Sequence, residues 1–301
     1  MSQIQKFAAS DATTNPSLIL SAVKNPESLE IVNNILAGYK GKRLTSVVIN
    51  DLTDSLAVEL GTRISKIVPG YISTEVDPRL SFDTPATVKR AEKIIEMYKA
   101  RGVGKERVLI KIAATWEGIQ AGKILQGKGI NCNMTLIFNK PQAIACGEAG
   151  VKLISPFVGR ILDWYKKSTG LDYTPETDPG VISVKEIYAY FKKHQISTIV
   201  MGASFRNSGE ILQLAGCDKL TISPPLLAEL ENSSELVEQK LKPGMDSPQK
   251  EPKMTIKKFR WQMNENPMAT EKLSEGIRKF TEDTLALHKF LRKQLKALNK
   301  Q

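Results

Sequence analysis

The sequence predicts an α/β fold, a (β/α)₈ TIM-type barrel with extra C-terminal helices, and three observations carry that prediction. The chain has 301 residues, enough for such a barrel, which typically takes about 250, plus added helices. Short β-rich runs alternate with longer helical ones, the pattern of parallel strands joined by helical crossovers. An open doubly wound sheet is the rival, and no G-x-G-x-x-G follows a strand-like run to support it.

Residues 1–10 read as the remainder of a helix. Strand-like runs then occupy 11–15, 71–76, 107–112, 131–138, 153–158, 198–204 and 219–223, seven in all. The stretch TSVVIN at 45–50 has the composition of a strand. However, Leu44, Val48, Leu52, Leu56, Leu60, Ile64 and Ile67 recur every three or four residues, which predicts a helix. Residues 242–253, rich in Pro and Lys, read as a loop. Beyond them Ile277, Phe280, Thr284, Leu287, Leu291 and Leu295 form one stripe, so a long terminal helix is expected to pack back on the body. The expectation is a single domain over 1–301, with the helices of about 255–301 packed on it.

Composition narrows the function classes. The formal charge is +11, and residues 240–301 hold fifteen Lys/Arg against seven Asp/Glu, so +8 of it lies in the last fifth. A solvated helical face accounts for that run. Nucleic-acid binding is the sharper reading, but the sequence has neither zinc-finger spacing nor an RNP-type aromatic strand, and no nucleic-acid partner is expected. Three cysteines, Cys132, Cys146 and Cys217, form no CxxC pair and suit reduced thiols in a cytoplasmic protein. Cys132 alternates away from Asn133 and reads as a packed thiol. No signal pattern and no membrane-spanning apolar run is present. Only His194 and His288 exist, both in Lys-rich helical contexts. A solvated or capping role is expected for each, and no metal site.

Polar residues inside the strand-like runs point to chemistry. Residues i and i+2 share a strand face, which groups Thr13 with Asn15, Asn133 with Thr135, Ser155 with Phe157, and Ser204 with Arg206. Lys111, in RVLIKIAATWEG, lies on the face opposite Ile110 and Ile112, so it is expected to converge with Asn133, Thr135 and Ser155 inside the barrel. Burying an unpaired ammonium is costly, which favours loss of its proton. The neutral amine is a nucleophile suited to imine formation with a carbonyl. Two other readings stay open at this point: a lysine paired with an internal carboxylate, or one at an exposed strand end.

The segments DATTNPSLIL, STEVDPRLSFD, VLIKIAATWEGIQAGK, GINCNMTLIF, LISPFVGRILDWY, VMGASFRN and AGCDKLTISP resemble, in order, the signature segments of the transaldolase family. The resemblance runs from about residue 11 to the terminal helix. It implies a (β/α)₈ barrel enzyme of the pentose phosphate pathway that needs no metal or organic cofactor. Such an enzyme moves a dihydroxyacetone unit from a ketose phosphate (sedoheptulose 7-phosphate or fructose 6-phosphate) to an aldose phosphate (glyceraldehyde 3-phosphate or erythrose 4-phosphate). By resemblance Lys111 is the Schiff-base lysine. Glu75, through a water and with Thr135, moves protons as the carbinolamine forms and dehydrates. Asn15 and Asn133 hydrogen-bond the dihydroxyacetone moiety, with Thr13 beside Asn15. Ser155 supplies another hydroxyl contact, and Phe157 a wall. Arg160, Ser204 and Arg206 form the phosphate site, a role that paired guanidiniums suit chemically. Sugar phosphates are the implied partners, no membrane is involved, and a homodimer is left open.

The resemblance has one departure. Transaldolases carry, upstream of the DATTN segment, a first strand ending in an ADTGD-like run whose leading aspartate handles a proton at the cleaved carbon–carbon bond. The matching place lies before residue 1, so that strand and aspartate are expected to be missing from this chain. The alternative function reading is a catalytically impaired, transaldolase-like protein that binds sugar phosphates or regulates.

Overall fold

The computed structural model describes residues 2–25 and 28–300. Met1 and Gln301, the ends of the stretches read as helical, lie outside the described residues. The elements run, in chain order, α1 (Ser2–Lys6), β1 (Ala12–Thr13), α2 (Pro16–Lys24), α3 (Leu29–Ala37), α4 (Ser46–Ser65), β2 (Ile72–Glu75), α5 (Thr84–Lys99) and β3 (Val108–Ala113). Then follow α6 (Trp116–Gly127), β4 (Cys132–Ile137), α7 (Lys140–Glu148), β5 (Leu153–Pro156), α8 (Gly159–Thr169), α9 (Pro179–Lys193) and β6 (Ile199–Ala203). The chain closes with α10 (Ser208–Leu212), β7 (Lys219–Thr221), α11 (Pro224–Glu231), α12 (Ile256–Asn264) and α13 (Pro267–Leu298). The strands are parallel, and their order in the sheet is their order in the chain. This is the α/β, TIM-type succession, with seven strands among the described residues at the places the sequence pattern predicts.

The chain forms two compact units. The first comprises residues 1–80, 85–111 and 277–301. In it β1 pairs β2 through Ala12 with Ile72 and Thr13 with Ser73, and β2 pairs β3 from Ile72 with Val108 to Glu75 with Lys111. The ambiguous stretch at 45–50 is helical because Thr45 is an N-cap. Its backbone is extended, and its Oγ1 accepts from the Val48 N–H at 3.2 Å, which launches α4. Helix α4 passes close to the buried Tyr98. A Cβ on Gly61 would lie 1.8 Å from the Tyr98 hydroxyl, which itself bonds Thr74 Oγ1 at 2.5 Å.

The core of this unit joins α2, α3 and α4 to the terminal stripe: Ile19, Val32, Leu52 and Leu56 are buried together with Leu287, Leu291 and Leu295. The 3.6-residue period of α13 thus becomes one packed seam. Leu291 is 1% exposed, so Leu291→Ala is expected to destabilise the chain by about 2–5 kcal/mol in denaturant unfolding. Leu285 on the same helix is 48% exposed, and Leu285→Ala should stay within about 0.5 kcal/mol of wild type. Equal effects at the two positions would contradict the packing seam.

The second unit comprises residues 81–84 and 112–276. Here β4 pairs β5, β5 pairs β6 and β6 pairs β7, all in parallel. Every residue of β4 and β5 is buried, as expected for strands covered on both faces. No helix among the described residues is long and apolar enough to cross a membrane.

Candidate active site

In the first unit the register of two strands makes an ion pair. Glu75 and Lys111 are Cα partners on parallel neighbours, so their side chains leave the same face. Lys111 Nζ lies 3.1 Å from Glu75 Oε2 and donates to the Thr14 carbonyl at 3.2 Å. The two side chains are 7% and 4% exposed. Phe280 of α13 sets its ring centroid 5.9 Å from the same ammonium, within cation–π range. The structure excludes an exposed strand end for Lys111, which is buried against an internal carboxylate.

A buried pair of this kind is tolerated only with both partners present, since removing one strands a charge in low dielectric. It also carries a chemical option. Passing one proton from Lys111 to Glu75 gives a neutral amine beside a neutral acid, which is a nucleophile made without net charge. Glu75 also lines a cavity of about 30 Å³ with Asn50, Asp54, Asp77, Arg90 and His288. That volume admits a water molecule.

His288 departs from expectation. It is buried on α13 rather than solvated, and burial, with Arg79 nearby, holds its imidazole below the usual value. His194 does take a capping role: it ends α9, and its Nε2 sits 3.0 Å from the Pro248 carbonyl oxygen.

Strand β1 stops after Thr13 because Asn15 starts a helix. Its backbone is extended (φ −154°, ψ 169°), its Oδ1 accepts from the Leu18 N–H at 2.8 Å, and Pro16 follows at the first helical position. Asn15 thus lies just past the strand, on backbone that is still extended. Its side-chain oxygen caps α2, which orients the amide NH₂ as a donor.

The second unit gathers the other polar residues. Asn133 and Ser155 are both buried, and Ser155 Oγ donates to Asn133 Oδ1 at 2.7 Å. Beyond them β4 leaves its pleat: the register shifts between Met134 and Ile137, and Leu136 adopts a φ of +57°. A bulge of this kind re-aims side chains at the end of a strand. Thr135 Oγ1, just before it, is fully buried and has no hydrogen-bond partner among the described residues. Such a hydroxyl is costly unless a partner arrives.

Phe157 packs edge-on against Phe138 at 5.5 Å between centroids and faces the Arg160 guanidinium at 4.9 Å. Arg160 is the second residue of α8. Past the end of β6 the chain turns through Ser204, whose φ of +64° is unusual for a residue with a Cβ. Ser204 and Arg206 thus follow a turn, and strand alternation does not relate them. Arg206 Nη2 donates to Asp163 Oδ2 at 2.7 Å, and Nε to both Asp163 oxygens at 3.2 Å.

Gly159 brings these parts together. Its N–H donates to the Ser204 carbonyl at 2.8 Å, and a Cβ there would lie 2.5 Å from Arg206 Cγ. The start of α8, with Arg160, therefore touches the 204–206 segment with no side chain between. At this helix start the Arg206 guanidinium is held by the Asp163 carboxylate.

Several participants escaped the sequence reading. Thr14 supplies its carbonyl, Phe280 its ring and Asp163 its carboxylate, and none carries a local signal for these contacts. Cys132 and Cys146 are buried thiols that burial pushes up, so they are inert as nucleophiles.

The family model described as transaldolase/fructose-6-phosphate aldolase matches residues 1–291. A protein named transaldolase from Marinomonas sp. is 57% identical over 293 residues, covering 97% of this chain and 93% of the relative. Transaldolases of Shewanella piezotolerans and Shewanella pealeana are 55% and 54% identical over the same length, covering 97% of this chain and 92% of each relative.

Proposed function

Because the chain belongs to the transaldolase/fructose-6-phosphate aldolase family, we propose that it transfers a dihydroxyacetone unit between sugar phosphates through an imine on Lys111. The observation that carries this reading is the buried contact of Lys111 with Glu75 at 3.1 Å. Glu75 takes the ammonium proton, and the amine adds to the carbonyl of sedoheptulose 7-phosphate or fructose 6-phosphate. The carbinolamine then loses its hydroxyl as water, with the proton supplied by Glu75 and Thr135, leaving an iminium. Glu75, again a carboxylate, takes the proton of the C4 hydroxyl through a water as the C3–C4 bond breaks, which releases erythrose 4-phosphate from sedoheptulose 7-phosphate, or glyceraldehyde 3-phosphate from fructose 6-phosphate, and leaves an enamine. The enamine attacks the incoming aldose phosphate, and hydrolysis frees Lys111.

The remaining residues divide between binding roles. Asn133, Ser155 and Asn15, with Thr13 beside it, hold the hydroxyls of the dihydroxyacetone unit, and Phe157 walls it. Arg160, Ser204 and Arg206 hold phosphate through charge-assisted hydrogen bonds. A homodimer in the cytoplasm, serving the pentose phosphate pathway, belongs to the same proposal.

The purified chain is expected to convert fructose 6-phosphate and erythrose 4-phosphate into glyceraldehyde 3-phosphate and sedoheptulose 7-phosphate. Arg160→Ala and Arg206→Ala should each raise KM for fructose 6-phosphate about ten- to a hundredfold, the value of a hydrogen bond to a charged group. Unphosphorylated fructose should respond little to either change. An Arg206→Ala enzyme with the wild-type KM would remove Arg206 from the phosphate site.

A further inference from the structure

Arg206 is fixed from behind by a carboxyl that the proposed chemistry does not use. Glu210 is wholly buried on the short helix α10, where the N-cap Asn207 accepts from the Glu210 N–H at 2.9 Å. Its Oε2 accepts from the Arg206 N–H at 2.7 Å. The side chain doubles back as the third-position glutamate of a capping box does, but one residue further, onto the arginine that pairs with Asp163. Glu210 Oε1 is buried too and meets no hydrogen-bond donor among the described residues.

Glu210 also interacts with Asp178, a second buried carboxyl. Asp178 has its own duty in the charged form: its Oδ1 accepts from the Gly180 N–H at 2.7 Å and the Val181 N–H at 3.3 Å, capping α9. Arg206 and Lys166 are the cations whose charges act on the pair. Both have other carboxylate partners, Arg206 in Asp163 at 2.7 Å and Lys166 in Asp172 at 3.0 Å. Two interacting buried carboxyls resist ionising together, so one proton belongs between them.

We infer that Glu210 is a positioning residue held as the neutral acid, donating to the Asp178 carboxylate, and that this shared proton fixes the Arg206 backbone where its guanidinium meets substrate phosphate. The inference rests on the reading of Arg206 as a phosphate ligand. Burial pushes Glu210 up to about 7 from an ordinary 4.5, the Arg206 N–H pulls against it and the Asp178 charge adds to it, and burial raises Asp178 as well. A carboxyl raised on folding contributes stability that is complete below its ordinary value and lost as pH rises through its folded value. Above about pH 7 two like charges face each other and the 204–206 segment loosens.

The test follows KM and kcat for fructose 6-phosphate, with thermal midpoints, from about pH 6 to about pH 9. It compares wild type with Glu210→Gln, Asp178→Asn and Arg206→Ala. In wild type, KM is expected to rise about tenfold across neutrality while kcat holds, the effect of one lost hydrogen bond. Glutamine donates to Asp178 and accepts from the Arg206 N–H at every pH, so Glu210→Gln should keep the low KM and show no step. Asp178→Asn removes the like charge and should flatten the profile as well, which keeps the inference testable if Glu210→Gln does not fold. A wild-type KM step surviving in both variants overturns the inference. So does a step confined to the thermal midpoint, which marks a merely structural pair. If Arg206→Ala leaves KM unchanged, the phosphate reading itself fails. A raised KM in Arg206→Ala with the pH step intact in both carboxyl variants defeats the inference alone.

Discussion

Lys111→Ala is expected to lower turnover by at least about 10⁴-fold, the scale on which loss of a covalent nucleophile acts. It should also abolish the adduct that borohydride traps on the wild-type chain in the presence of fructose 6-phosphate. The nucleophile splits one difficult transfer into imine formation and cleavage, and among the described residues no other lysine is buried as Lys111 is, 3.1 Å from a buried carboxylate. The variant carries a complication that is itself informative. Deleting the ammonium leaves Glu75 as an uncompensated buried charge, a change that typically costs about 3–5 kcal/mol in stability. The double variant Lys111→Met/Glu75→Gln removes both charges and should regain much of that stability while remaining inactive. Lost activity would then be separable from lost fold. If reduction labels another lysine, or labels Lys111→Ala as strongly as wild type, the imine assignment fails.

The sequence made some of this legible and hid the rest for physical reasons. Lys111 stood out because an ammonium in an apolar strand run needs an explanation, and the structure supplies Glu75, Thr14 and Phe280. The terminal stripe from Ile277 to Leu295 was readable because a helix repeats its buried face at fixed spacing. The partner of Lys111 was not readable by pattern alone. Glu75 meets it through strand register, which depends on how the chain between β2 and β3 packs, and no local period encodes that.

Backbone turns hid more. Leu136 and Ser204 take positive φ without being glycine or asparagine, so nothing in their identity announces the departure from strand alternation. His288 was misread because its Lys-rich neighbours in sequence face outward while it faces the core of the first unit. Glu210 had a usable signal in the Asn207-x-x-Glu210 spacing of a helix start, but spacing says nothing of burial beside Asp178.

Glu75→Gln should lower kcat by about 10²- to 10⁴-fold, the usual contribution of a general acid–base group. Glutamine is nearly isosteric and keeps an amide oxygen facing the Lys111 ammonium, so the substitution removes proton transfer while keeping a polar contact. KM for fructose 6-phosphate should change little, because the phosphate ligands proposed for this chain are untouched. The step affected can be located. If Glu75 takes the lysine proton, trapping by borohydride should slow in parallel with turnover. Activity of the variant should also climb with pH, as hydroxide substitutes for the missing base, and added formate should restore part of it. If Glu75 serves only the later cleavage step, the iminium still forms at the wild-type rate and the two measurements separate. Full wild-type turnover in Glu75→Gln would mean that the contact at 3.1 Å serves only to neutralise Lys111, and the proton-transfer role proposed for Glu75 would have to be withdrawn.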